Sequence, residues 1–177
     1  MSRVTVSEPP ARPRLILVGG EAWTGKTTVA RLLLSSLDNA AWLDGDDVWR
    51  VHPWSVEDPR LRTSDVNMAF VVRTYLCAGF DHVILSSIVL SDQQITERIL
   101  GLLREGAVPE HDLVRFTLTA DEATLRDRAL ARDGEADPQF RLRERAAALS
   151  GTVHVDTTGR SPEEVLAQLL AELAQRS

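Results

Sequence analysis

The sequence predicts an α/β fold, a five-stranded parallel sheet with helices on both faces, and three observations predict it. Five apolar runs have strand length: "RLILVGG", "AAWLD", "HVILSSIVL", "DLVRFTLT" and "TVHVDTT". Segments of helical period separate them, so each connection can return the chain to the same edge of a parallel sheet. A glycine-bounded turn, "GGEAWTGK", joins the first run to the first helical segment, "TTVARLLLSSL".

In chain order, residues 1–13 are rich in Pro and Arg and hold no uninterrupted apolar segment, which reads as a loose leader before a single domain over residues 14–177. With 177 residues and 44% hydrophobic content, the chain can bury a core without metal or disulfide support. Its one cysteine, Cys77, excludes an internal disulfide and reads as core on the helical segment "NMAFVVRTYLCAGF". No apolar run approaches the roughly 20 residues needed to cross a bilayer, so a cytoplasmic protein without a membrane partner is expected. The net charge of −6 argues against nucleic acid, whose nonspecific binding needs a surplus of cations.

Helix starts are expected where a hydroxyl precedes Gln or Glu by three residues: Ser91 with Gln94, Thr119 with Glu122, and Ser161 with Glu164. Pro162 stands at the first position of the last helix, predicted over Pro162 to Gln175. Val51 to Arg62 and Arg132 to Phe140 carry turn formers and resist regular assignment. At the carboxyl ends of parallel strands, such segments are candidate covers over a ligand.

Gly20-Glu21-Ala22-Trp23-Thr24-Gly25-Lys26-Thr27 matches GxxxxGK[ST] in the context the motif requires, with Thr28 opening the helix behind it. In such a loop, backbone N–H groups and a helix N-terminus surround the phosphates of ATP. Lys26 then reaches the β- and γ-phosphates, and the Thr27 hydroxyl serves Mg²⁺. Lys26 is the only lysine among 20 basic residues, which points to a need for a compact ammonium here. Its uniqueness also excludes the Asn-Lys-x-Asp element by which Ras-type GTPases read guanine. A motor of the AAA+ type is disfavoured, since "VILSSIV" carries Ser86 and Ser87 where an Asp-Glu pair would activate water.

The second strand runs into "LDGDDVWR", which gathers Asp44, Asp46 and Asp47 in one turn. Asp-rich turns are common as helix caps. Beside a phosphate loop, one carboxylate can take the proton of an acceptor hydroxyl and another can serve Mg²⁺.

Together, "GGEAWTGKTT" and "LDGDDVWR" resemble the small P-loop kinases of metabolites and antibiotics: chloramphenicol phosphotransferase, gluconate kinase and adenylylsulfate (APS) kinase. The resemblance implies a three-layer P-loop NTPase fold of the nucleoside-monophosphate-kinase type, with an Arg-containing lid over about residues 128–145. It places Asp46 at the position that binds or deprotonates the acceptor, with a share in the metal, and Asp44 as a second substrate or metal contact. It also places Arg50 as a substrate anchor. Arg73 is a further substrate candidate, with a surface role the alternative. In "TADEATLRDRALARD", Arg128 and Arg132 match lid arginines beside the base and the transferring phosphoryl group, with Arg126 behind them. In "VDTTGRSPEEV", Thr157, Thr158 and Gly159 match the adenine-site loop. Trp23, where many relatives have Gly, and Ser86-Ser87, where one has an acidic pair, depart from the pattern. Trp49, His52 and Trp54 read either as an aromatic acceptor pocket or as packing under a loop, and His154 as structural.

The expectation is an ATP- and Mg²⁺-dependent kinase that phosphorylates a hydroxyl of a small molecule. A nucleoside or nucleotide kinase, and an ATP-binding regulatory module without transfer, are the alternatives.

Overall fold

In the computed structural model, residues 12–53, 55, 58–135 and 137–176 are described. The strands are β1 (Arg14–Gly20), β2 (Ala40–Asp44), β3 (His82–Ser86), β4 (Asp112–Thr119) and β5 (Val153–Asp156). The helices are α1 (Lys26–Ser36), α2 (Ser64–Cys77), α3 (Gln93–Glu105), α4 (Glu122–Asp133), α5 (Arg143–Ala148) and α6 (Pro162–Ala174). All strand pairs are parallel, in the order β2-β3-β1-β4-β5.

β1 is buried along its whole length because helices cover both of its faces. Successive side chains alternate between those faces. Leu15 and Leu17 enter one core layer with Met68 and Val72 of α2 and Ile99 and Leu103 of α3. Ile16 and Val18 enter the other with Val29 and Leu33 of α1 and Val165 and Leu169 of α6. A strand covered twice reads as an unbroken apolar run, which is why "LILV" lacks alternation. Truncating Leu15, fully inaccessible, to Ala would cost about 2–5 kcal/mol.

The register brings the functional segments together at the carboxyl edge. Asp44 lies opposite Ser86, Val18 opposite Ser86, and Gly20 opposite Leu118. From β1 the chain turns toward β2 and β3 on one side, and later toward β4 and β5 on the other. A crevice opens where the order reverses.

Several sequence expectations are corrected. β3 ends at Ser86: the Ser87 hydroxyl accepts from the Val89 N–H, and Ile88–Ser91 turns as a 3₁₀ helix, apolar because it is buried rather than extended. β5 is confined to Val153–Asp156. Of the three capping boxes, only Ser161–Glu164 forms, with both reciprocal bonds. Asp92 caps α3 by accepting from the Gln94 and Ile95 N–H groups, and Asp121 caps α4 by accepting from the Thr124 N–H. In both places a carboxylate nearer the helix prevails over the hydroxyl, because a charged acceptor is favoured by the helix dipole. Cys77, expected in the core, is exposed at the end of α2.

Of the expected leader, only Arg12 and Pro13 are among the described residues; Trp54 lies outside them. Within the irregular segments, Pro59–Thr63 forms a 3₁₀ turn capped by Asp58, and Arg132 and Asp133 complete α4 before Gly134 ends it at φ 69°. No helix among the described residues is long and apolar enough to cross a membrane.

Candidate active site

The loop from Gly20 to Gly25 is shaped first by backbone constraints. Gly20 has φ 140°, and a Cβ there would lie 2.4 Å from the Leu118 carbonyl oxygen, so the residue must be glycine. Its N–H donates to the buried Ser91 hydroxyl at 2.9 Å, tying the loop to the turn after β3. Gly25 adopts the left-handed conformation (φ 93°) just before α1, and no side chain caps that helix. The first N–H groups of α1 are therefore left without a side-chain acceptor, an arrangement that can receive an anion.

Within the loop, Lys26 Nζ donates to the Glu21 carbonyl at 2.8 Å, as does the Thr24 hydroxyl at the same distance. Burial pulls the Lys26 ammonium down to about 8, against the carboxylates of Glu21, Asp46 and Asp44, while Arg132 adds to the lowering. Incoming phosphates would raise it again, holding the proton to higher pH.

The acidic turn divides its carboxylates. Asp44 ends β2, where one oxygen accepts from the Thr27 hydroxyl at 2.8 Å and the other from the Asp46 N–H at 3.1 Å. Asp46 follows in a one-turn 3₁₀ helix, Gly45–Val48, and its carboxylate has no hydrogen-bond partner among the described residues. Burial and then Asp44 raise the Asp46 carboxyl above its ordinary range, opposed by Lys26, Arg50 and Arg132. Asp47 is taken up by Arg50, whose guanidinium grips it at 2.9 Å on the outer face of the turn. Ser86 accepts from the Trp42 indole N–H at 2.9 Å.

Trp23 sits in the loop at φ 60°, a left-handed conformation uncommon for a large side chain. Its indole N–H donates to Asp133 at 2.7 Å, and its ring meets Phe140 edge to face at 6.0 Å between centroids. Glu21 is buried, with one carboxylate oxygen accepting from its neighbour Ala22 and the other from the Leu142 N–H at 2.6 Å. The segment between α4 and α5 is thus fastened to the phosphate loop at two places. Arg128 on α4 donates to the Thr157 hydroxyl and carbonyl (3.0 and 2.8 Å) and to the Trp23 carbonyl (3.3 Å).

Two adjoining cavities result. One, of 190 Å³, is lined by Ala22, Trp23, Gly25, Lys26, Thr27, Thr28, Asp44, Asp46, Ser86, Ser87, Ile88 and Arg132. The second, of 430 Å³, shares Trp23, Gly25, Thr28 and Arg132 with the first and extends to Val29, Arg128, Ala131, Thr157, Arg160, Pro162 and Val165. The smaller is polar and sized for phosphates; the larger has the apolar walls suited to a base.

Most of the expected residues converge here, and some do not. Thr157 lines the larger cavity, whereas Thr158 accepts from the Asp121 N–H and joins the turn to α4. Gly159, at φ 64°, is exposed. Glu21 faces the Leu142 backbone. Arg50 lies outside both cavities, and Arg73 packs its side chain against Gly106 beyond the C-terminus of α3, away from the crevice. Arg126 binds Glu122 and Asp137 and lies 5.5 Å over the Phe140 ring, so it braces the segment after α4. His154 contacts the Leu149 carbonyl at 2.9 Å. Arg160 was missed by sequence reasoning, although it directly follows the glycine of the last turn; it reaches Gln168 at 2.6 Å on α6.

Solved structures share this architecture over most of the chain. A tunicamycin resistance protein from Deinococcus radiodurans aligns with a TM-score of 0.69 at 21% identity, covering 92% of this chain and 96% of that one. The fold is that of the P-loop small-molecule kinases. A gluconokinase from Sinorhizobium meliloti (TM-score 0.63, 17% identity, 93% and 95% covered) is similar. So is the APS kinase of Mycobacterium tuberculosis solved with AMPPNP and APS (TM-score 0.65, 16% identity, 95% and 100% covered). Two of the three kinds of kinase that the motifs resemble are thus represented. The Zeta toxin family model matches residues 2–73, the part that carries the phosphate loop and the acidic turn. No curated protein sequence matches the chain significantly.

Proposed function

We propose that this chain is an ATP- and Mg²⁺-dependent phosphotransferase that moves the γ-phosphoryl group to a hydroxyl of a small molecule. The observation that carries the reading is the 190 Å³ cavity in which Lys26, Thr27, Asp44, Asp46 and Arg132 meet. Cations and helix N–H groups favour the phosphates, and the Asp46 carboxylate, without a hydrogen-bond partner among the described residues, lines the same cavity.

The donor set fits Mg²⁺, a hard cation that takes one or two protein oxygens and completes its shell with phosphates and water. The Thr27 hydroxyl and Asp44 carboxylate, already bonded to each other, would hold it from the protein side. Bound there, the ion supplies neutralisation of phosphate charge.

In the transfer, the acceptor oxygen attacks the γ-phosphorus as the bond from that phosphorus to the β,γ-bridging oxygen breaks, and ADP leaves with the bond electrons. The acceptor proton passes to Asp46, whose raised carboxyl makes it a stronger base than an ordinary aspartate. Lys26 follows the charge that spreads over the transferring oxygens, joined by Arg132 once it leaves its exposed ion pair with Asp133. Arg128 holds the loop bearing Thr157 beside the base cavity.

Acceptor-stimulated ADP formation, screened over metabolites and antibiotics, tests this reading. Lys26→Ala is expected to lower turnover by about 10³-fold or more; undiminished turnover in that variant overturns it.

A further inference from the structure

A third cavity, of 510 Å³, lies on the other side of the acidic turn from the base cavity, between that turn, the 3₁₀ segments at Pro59–Thr63 and Ile88–Ser91, and helices α2 and α3. Two short stretches of chain line both it and the phosphate cavity. Ile88 lines the phosphate cavity and Val89 lines this one. Asp46 lines the former, and Trp49, whose N–H donates to the Asp46 carbonyl at 3.2 Å, lines the latter. A molecule seated here with a hydroxyl toward Asp46 would meet the transferring group.

The walls of this cavity are matched in charge. Arg98 on α3 holds Asp65 on α2 at 2.7 Å, with the carboxylate side chain 7% exposed. Asp58 is gripped by Arg60 at 2.6 Å and accepts from that residue's N–H. Among the described lining residues Arg98 is the one cation, and a buried carboxylate already answers its charge. What remains is apolar surface from Leu61, Val89 and Ile95, together with neutral hydrogen-bonding groups on Gln94 and Ser64. The buried indole N–H of Trp49 has no partner among the described residues, an uncommon state for a buried donor and one that an acceptor atom on a ligand would relieve.

We infer that this cavity seats the phosphoryl acceptor, and that the acceptor is an uncharged hydroxylated molecule with an apolar portion, rather than a sugar acid, a nucleotide or an amine. The inference rests on the kinase reading and narrows it. An acidic acceptor would need a cation to answer its charge when desolvated, and the one cation among the described lining residues is committed to Asp65. The apolar wall and the Trp49 donor instead suit a molecule that buries carbon surface and offers a neutral acceptor atom.

The test measures acceptor-stimulated ADP formation with matched compounds: a nucleoside against its 5′-monophosphate, and a hexose against its aldonic acid and its amino sugar. The neutral member of each set is expected to have kcat/KM at least about 10-fold higher. A preference for the charged members overturns the inference and leaves the kinase reading standing. ATP binding with no stimulation by any compound overturns both.

Variants sharpen the outcome. Asp65→Asn frees the Arg98 charge and should move the neutral-to-acid ratio about 10-fold toward the acid, with the Kd for ATP unchanged. Arg98→Gln, whose parent side chain is 59% exposed and tolerant of change, should move preference toward the amino sugar. Trp49→Phe keeps the ring and removes the donor, and should raise KM for the neutral acceptor several-fold without changing the Kd for ATP. Ratios unmoved by both charge variants overturn the assignment.

Discussion

The phosphate loop and the acidic turn face each other across one cavity, but they are built by different means. The loop presents mainly backbone. Its glycines at 20 and 25 take positive φ, the uncapped terminus of α1 supplies N–H groups, and Lys26 is parked on the Glu21 carbonyl. The turn presents side chains, with Asp44 engaged by Thr27 and the Asp46 N–H, and Asp46 left unengaged. Backbone recognition requires particular residues at particular spacings, whereas side-chain recognition can be met by many arrangements. On the proposed kinase reading, the nucleotide half is therefore common to a fold, and the acceptor half is individual to a protein.

This contrast breaks most visibly at Asp46. Asp46→Asn is expected to lower turnover by about 10²- to 10⁴-fold, the range for loss of a general base, while the Kd for ATP stays within about twofold. Kinetics combined with a binding titration check this; equal losses in both would place Asp46 in the nucleotide half.

The next largest effect concerns pH. The Lys26 ammonium of the free protein loses its proton near pH 8, so the charge proposed to attract phosphate is present below that value and is lost as pH rises through it. Affinity for ATP should be flat below about pH 8 and fall above it, at most about tenfold per unit, because phosphate binding is linked to retention of the proton. Lys26→Arg, which stays charged, should flatten the decline even where its bulkier head weakens binding overall. A profile indifferent to that substitution would remove Lys26 from phosphate binding.

The smallest effect is expected at Trp23. Trp23→Gly relieves a left-handed backbone worth about 1–2 kcal/mol and forfeits a ring contact worth about 0.5–1.5 kcal/mol, together with the exposed bond to Asp133. Thermal stability should therefore change by about 1 kcal/mol or less. The link between the phosphate loop and the segment after α4 should loosen, read as faster proteolysis near residue 140 in the absence of nucleotide.

The same division explains what could be read in advance. Five strands, their parallel pairing and the last helix were legible because two-faced burial writes continuous apolar runs and because Ser161, Pro162 and Glu164 all act within a single turn. The phosphate loop was legible because glycine is obligatory where a Cβ would strike the Leu118 carbonyl. The capping residues of α3 and α4 were misread because two acceptors, Ser91 or Asp92 and Thr119 or Asp121, stood close together, and the charged one is favoured at the helix terminus; Ser91 is in addition taken up by the Gly20 N–H. Arg50 and Arg73 could not be placed from spacing, since each is directed by one distant or local partner, Asp47 for the first and Gly106 for the second. The pairing of Asp65 with Arg98 joins two helices 33 positions apart and leaves no local signature.

Gly45 gives the departure at Ser86-Ser87 a further meaning. A Cβ at position 45 would lie 2.5 Å from the Ser87 hydroxyl oxygen and 2.6 Å from its Cβ, so the ends of β2 and β3 have room for one side chain between them. A carboxylate at position 87 would therefore push back the turn that carries Asp44 and Asp46. The two strand ends compete for the same space beside the cavity, and in this chain the turn after β2 is the end that keeps the glycine. Substitutions at 45 and 87 should consequently be interdependent: either enlargement alone is harmful, and a larger residue at one position is tolerated only with backbone retreat at the other.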